Sequence, residues 1–184
     1  MPSTPRIRSD ASENARKLRG AARDLFATGA SEVSLAAVAQ QAGVGTRTLY
    51  RHYSTREALT LALIREDITS ELEPRLLAIA NAVDPNPHNL QRCVHVVLEW
   101  THGERELLRD AGCAINTEAG FDQVRSILTS QLDLARDMGA LRSDFQVDLI
   151  MNFIAALTLL QSQHPSTSTN DIVQIFFDGL SAPL

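Results

Sequence analysis

The sequence predicts an all-α protein of about nine helices, with a small N-terminal helix-turn-helix head of three helices followed by a larger helical body. Three observations predict it. Apolar residues recur at three- and four-residue spacing along most of the chain, and no segment keeps the two-residue alternation of a half-buried strand. Gly, Pro and short Ser/Thr/Asp/Asn clusters interrupt that pattern at intervals that suit helices. Charge is divided as sharply as the pattern is: residues 1–56 hold nine Arg or Lys against four Asp or Glu, and residues 57–184 hold eight against eighteen. These parts carry +5 and −10 within a chain whose formal net charge is −5. A basic head on an acidic body is the footprint of a nucleic-acid-binding module joined to a part that phosphates do not touch; a chance fluctuation of surface charge is the plain alternative.

At 184 residues and 44% apolar composition the chain can bury an ordinary core, as one domain or as a small domain fused to a medium one. It has no uncharged apolar run of about 18 residues, and Met1 to Asp10 lacks the apolar centre of a signal peptide. The expectation is a soluble, cytoplasmic protein without a membrane partner. Cys93 falls in a predicted helix and Cys113 just beyond one, and the expectation for an intracellular chain is two reduced, buried thiols.

The first helix is predicted over 13–28, with Leu18, Ala21, Ala22, Leu25 and Phe26 on one face and Gly29 placed to end it; the residues before it read as a polar, partly basic arm. Ser34 caps a second helix that runs to about Ala42, and Gly43 can take the positive φ that ends it. A third helix opens at Gly45 or Thr46 and runs to about His52, with Leu49 in the angle between the two and Ala39 small enough to let them cross closely. Ser54 and Glu57 have the spacing of a capping box for a longer helix to about Glu73, and Pro74 suits the first turn of the next, 74–83. The break DPNPHN precedes a helix over 89–102 that is apolar on two sides. A short helix near 104–111 and a long one over 118–138, ending before Gly139, follow; Ser143 or Asp144 then caps 145–162. The last two helices, 145–162 and about 169–180, are apolar nearly all round, so each needs cover on more than one side. Two such helices expose too much apolar surface for a monomer, which suggests a homodimer; a single deep core is the alternative.

The run GVGTRTLYRHYSTREAL, with SLAAVAQQA before it and the upstream segment ending LFATGA, resembles the DNA-binding domain of the tetracycline-repressor (TetR) family of transcriptional regulators. The resemblance covers roughly the first third of the chain and rests on several spaced features. It implies an all-helical homodimer that binds a palindromic duplex operator and lets go when a small molecule enters the C-terminal body, with no cofactor and no enzymatic activity. The domains implied are 1–54 for DNA binding, a linking helix 55–73, and 74–184 for ligand binding and dimerisation.

Residue by residue, Thr46, Arg47, Thr48 and Tyr50 occupy the places of a recognition helix. Arg47 can fork onto a guanine, and the Thr46 or Thr48 methyl can meet a thymine. Tyr50, His52 and Arg56 match family positions that grip phosphates, and Ser34 can do the same with its hydroxyl. Arg56 stands where the family often carries Lys, so a cation is kept. Arg47 stands where relatives commonly have a small residue, which predicts base reading there; a phosphate contact or a solvated arginine is the alternative. Ala30 replaces a common aromatic.

In the body the resemblance places a ligand cavity among the middle helices, with Val96, Val97, Trp100, Phe121, Val124 and Leu128 as candidate lining for a mainly apolar small molecule, although each also suits plain core. It pairs the last two helices with their twins, giving a dimer interface of Ile150, Phe153, Ile154, Leu157, Val173, Phe176, Phe177 and Leu180. His95, Glu99 and His102 share one helix face at metal-ligand spacing, but no fourth ligand is evident, so they are a weak candidate only and the expectation is a solvated face with no metal. No G-x-S-x-G, H-E-x-x-H or glycine-rich phosphate loop occurs, which argues against an enzyme. The alternative to a ligand-released repressor is a helical protein-interaction module with secondary DNA binding.

Overall fold

The computed structural model describes the backbone of residues 5–27, 33–83, 85–110, 120–164 and 168–181. Those residues form ten α-helices and one π-helical segment, and among them no strand, only a single antiparallel bridge between Leu141 and Ser181. The chain divides into two compact units, Met1–Leu63 and Ile64–Leu184. Gly29, Ala30 and Cys113 lie outside the described residues.

The first unit is built on α1 (Pro5–Ala27), α2 (Leu35–Ala42), α3 (Thr46–His52) and the start of α4 (Arg56–Asp67). The first helix begins earlier than the sequence predicts. Its added turns carry no apolar stripe, so periodicity could not register them, and Pro5 is tolerated because the first helical position has no intrahelical N–H bond to lose. Both α2 and α3 pack against α1. Leu18, Ala21, Ala22, Val33, Val38, Ala39, Leu49 and Tyr53 are buried, joined by Leu59 and Leu63 of α4.

Each end of α2 has the chemistry its sequence announces. Ser34 is in extended conformation and its Oγ accepts from the Ala37 amide at 3.1 Å. At the other end Gly43 takes φ 64, with its amide donating to Gln40 and that of Val44 to Ala39, the paired bonds of a Schellman motif. Gly139 repeats the arrangement after the helix Asp122–Asp137, at φ 70, with bonds from Gly139 to Arg136 and from Ala140 to Ala135.

The cap of α4 departs from the predicted Ser54–Glu57 box. Thr55 is the capping residue, its Oγ1 accepting from the Ala58 amide at 3.2 Å. The Glu57 carboxyl is held below the ordinary carboxylate range by its own backbone amide and then by the Thr55 hydroxyl. Helix does not stop before Pro74: α4 passes through a π segment (Ile68–Leu72) into α5 (Glu73–Ala80), and the Glu73 amide donates to Ile68, five residues back. Pro74 sits in the first turn of α5, where a π register leaves its missing N–H harmless.

The second unit is organised around α6 (Asn89–Gly103), against which α5, α7 (Arg105–Asp110), α8 (Asp122–Asp137), α9 (Val147–Gln163) and α10 (Thr169–Leu180) all pack. Burial of Leu90, Cys93, Val94, Val97, Leu98, Trp100 and Thr101 explains why the apolar stripe of α6 is so wide. The Thr158 hydroxyl donates to Thr101 Oγ1 at 3.1 Å and ties α9 to α6. Neither Ser143 nor Asp144 caps α9: Gln146 holds the cap position without a side-chain bond, and Asp144 is engaged by the Arg142 guanidinium at 3.1 and 2.6 Å. That guanidinium and its hydrogen bonds hold the Asp144 carboxyl low.

Candidate nucleic-acid interface

Of the seven residues of α3, only Leu49 is buried. At 100° per residue, Thr46, Tyr50, Arg47 and Arg51 fall in that order within an arc of roughly 140°. All four are exposed, and Tyr50 leaves 55% of its surface to solvent. A tyrosine that open, beside two exposed arginines, gives this face donors, positive charge and a stacking surface at once. Arg51 was missed by the sequence reading, although its four-residue offset from Arg47 is the signal that places both on one face.

Thr48 and His52 lie at the side of that arc and are half-buried. His52 turns Nε2 inward, where it is buried without a partner and not offered to a phosphate. Ser34 is exposed, and since its Oγ accepts from Ala37, the hydroxyl hydrogen is left to donate outward.

Arg56, matched by resemblance to a phosphate-gripping position, makes contacts within the head. It is half-buried, its Nη1 donates to the Val33 carbonyl at 2.7 Å, and its guanidinium carbon lies 4.6 Å from the centroid of the Phe26 ring. One of the guanidinium N–H groups is thereby engaged within the head. A second arginine joins head elements: Arg19 Nη1 donates to the buried Tyr53 hydroxyl at 3.2 Å.

In the second unit, Val97, Trp100, Phe121, Val124 and Leu128 are buried, with Trp100 and Phe121 edge to face at 6.2 Å between ring centroids. Val96 departs from them, being half-exposed on the flank of α6. Trp100 Nε1 and Gln131 Oε1 are buried without hydrogen-bond partners. Burial pushes the Cys93 thiol up to about 11, which leaves it protonated and inert. The set His95, Glu99 and His102 does not form a metal site. Glu99 is paired with Arg75 at 2.8 Å, and among the described residues no three His, Cys, Asp or Glu side chains group closely enough to hold an ion.

The expected dimer residues split into two classes. Ile150, Ile154, Leu157, Val173 and Phe177 are buried in the core of the chain itself. Phe153, Phe176 and Leu180 are only half-buried, with the Phe153 and Phe176 rings stacked at 3.8 Å. The outward face of these helices also carries Leu149, Leu159 and Ile175, exposed by 48%, 60% and 71%. Sequence period identifies an apolar stripe, but in helices apolar nearly all round it does not fix which stripe turns inward.

The sequence profile of the family described as "Bacterial regulatory proteins, tetR family" matches residues 18–63, which contain the whole helix-turn-helix. Solved structures similar along nearly the full chain include a TetR transcription regulatory protein from Mycobacterium vanbaalenii, at 23% identity and TM-score 0.53, with 96% of this chain and 99% of that one covered. A TetR transcriptional regulator from Streptomyces coelicolor is similar at 24% identity and TM-score 0.56, covering 92% and 99%. A structure described as "Molecular basis for control of antibiotic production by a bacterial hormones" reaches TM-score 0.62 at 18% identity, covering 91% and 97%. No curated protein sequence matches. Among the described residues no helix is long and apolar enough to cross a membrane.

Proposed function

We propose that this chain, whose residues 18–63 match the profile of the bacterial tetR-family regulatory proteins and whose fold is similar to that of solved TetR regulators, is a cytoplasmic repressor of that family which binds a palindromic operator as a homodimer and is released by a small molecule. The observation that carries this reading is the open face of α3, where Thr46, Arg47, Tyr50 and Arg51 stand exposed on a helix anchored by Leu49 alone. Arg47 and Arg51 supply base and phosphate contacts, Tyr50 and Thr46 flank them, and Ser34 donates to a phosphate from the start of α2. Two such helices about 34 Å apart meet successive major grooves, which accounts for a palindromic site.

Dimerisation in this reading uses the outward stripe of α9 and α10, Leu149, Phe153, Leu159, Ile175 and Phe176, in place of the residues spent on the protomer core. The effector sits beside Trp100, Phe121, Val124 and Leu128 and is mainly apolar, with one hydrogen-bond acceptor to meet the Trp100 Nε1–H. It acts by binding better to a state in which the two heads no longer fit the operator. One structural relative bears a description that mentions control by a bacterial hormone, which agrees with small-molecule control of this fold.

The test is a gel-shift series on duplexes selected by the full chain from a randomised palindrome pool. Specific, steeply salt-dependent binding that is lost in Leu159→Glu/Ile175→Glu together with dimerisation supports the reading. Binding that is equal across sequences, or unchanged in the monomeric variant, refutes it.

A further inference from the structure

We infer that Arg56 is a positioning residue for DNA binding: it clamps the start of the helix-turn-helix to α1 and acts on DNA through Ser34, without touching the backbone itself. The inference rests on the DNA-binding reading above.

Three segments of the head meet at this guanidinium. Arg56 opens α4, the carbonyl it binds at 2.7 Å belongs to Val33, and the ring beneath it at 4.6 Å belongs to Phe26 near the end of α1. Val33 is buried, and the next residue, Ser34, is both the cap of α2 and the outward hydroxyl at its start. A charge-assisted bond to the carbonyl just before a cap fixes the direction in which the chain enters the helix. The planar cation over Phe26 ties that carbonyl to α1, against which α2 packs. If the clamp is released, the Ser34 peptide plane is free to turn, and with it the hydroxyl and the first amides of α2.

Arginine suits this role better than lysine. Its fork can donate in the guanidinium plane to the carbonyl while its face rests on the ring, whereas an ammonium cannot combine the two geometries in the same way. A direct phosphate grip makes the opposite demand, since either cation serves there.

Salt dependence separates the two roles. Each phosphate contact from a cation contributes about 0.9 to the slope of log K against log salt, and an uncharged serine hydroxyl contributes nothing to it. Affinity of the full-length protein for a duplex selected from the randomised palindrome pool is measured across a salt series for wild type, Arg56→Ala, Arg56→Lys, Phe26→Leu, Ser34→Ala and Ser34→Ala/Arg56→Ala. Amide exchange at Ala37 is followed in the same proteins. The clamp predicts that Arg56→Ala binds roughly tenfold more weakly with an unchanged slope, and that Arg56→Lys does not restore affinity. Phe26→Leu, which removes no charge, weakens binding about two- to fivefold, and the Arg56→Ala effect falls below about twofold once Ser34 is alanine. Ala37 exchange speeds up in Arg56→Ala and Phe26→Leu. A slope that drops by about 0.9 in Arg56→Ala, or wild-type affinity in Arg56→Lys, overturns the clamp in favour of a phosphate contact. If the wild type itself binds no duplex, it is the regulatory reading that falls, and the clamp is then decided by whether Ala37 exchange changes.

Discussion

Helices α3 and α6 are both amphipathic, yet they spend their side chains in opposite directions. In α3 seven residues contribute one buried side chain, Leu49, and the rest face out or sideways. In α6 fifteen residues contribute eight buried ones, and five other helices pack around it. Each buried aliphatic side chain stabilises by roughly 1.5–3 kcal/mol, so α6 is where stability is concentrated, while α3 keeps its composition free for contact with something outside the chain. If α3 reads DNA as proposed, function and stability are carried by separate helices, and substitutions should separate them too.

The largest effect belongs to α6. Leu98→Ala empties a site that is almost wholly enclosed and should lower unfolding free energy by about 2–5 kcal/mol in urea titrations. A loss below about 1 kcal/mol would mean that α6 is not the keystone its burial implies. The next effect belongs to α3 and should appear only in binding. Arg47→Ala leaves the urea midpoint unchanged but costs about 1–3 kcal/mol of operator affinity, and it relaxes preference at one operator position if Arg47 reads a base. Equal weakening across an operator library would assign Arg47 to a phosphate instead. The smallest effect lies on the rim of α6, where Arg75 and Glu99 pair at 2.8 Å with both side chains well exposed. Arg75→Ala should change stability by less than about 0.5 kcal/mol, measured by the same titration; a larger loss would extend the stabilising role of α6 to its solvent side.

The helix-turn-helix was the most legible part of the chain, because three local signals agree there. Ser34 caps, Gly43 ends in the left-handed region and Leu49 fills the angle, and each role depends on near neighbours in sequence. The wide stripe of α6 was legible for a related reason, since a helix surrounded by others leaves little doubt about its phase. In α9 and α10 apolar residues occur on every side, so sequence could not say that Ile150, Ile154 and Leu157 turn inward while Leu149 and Leu159 turn out. Caps were read within a residue or two, as with Thr55 for Ser54, because neighbouring hydroxyls compete for the same amide. The partners of Arg56 were out of reach, since its contacts with Val33 and Phe26 span more than twenty residues of chain.

The π segment at Ile68–Leu72 explains how one side of a long helix can stay buried at a spacing that an α-helix does not support. Ile64, Ile68, Leu72 and Leu76 are all enclosed, each four residues from the last. In an unbroken α-helix three such steps would drift by roughly 120° around the axis, carrying Leu76 well away from Ile64. The wider turn, closed by the bond from Glu73 to Ile68, takes up the drift. In the currency of chain length, the run Arg56–Ala80 therefore holds one residue that serves phase and not reach. Deleting a residue there would restore an ordinary ladder but would move either Ile64 and Ile68 or Leu72 and Leu76 off the buried line. Aligning a helix across this segment without regard to that residue turns every position on one side of it by about 100°.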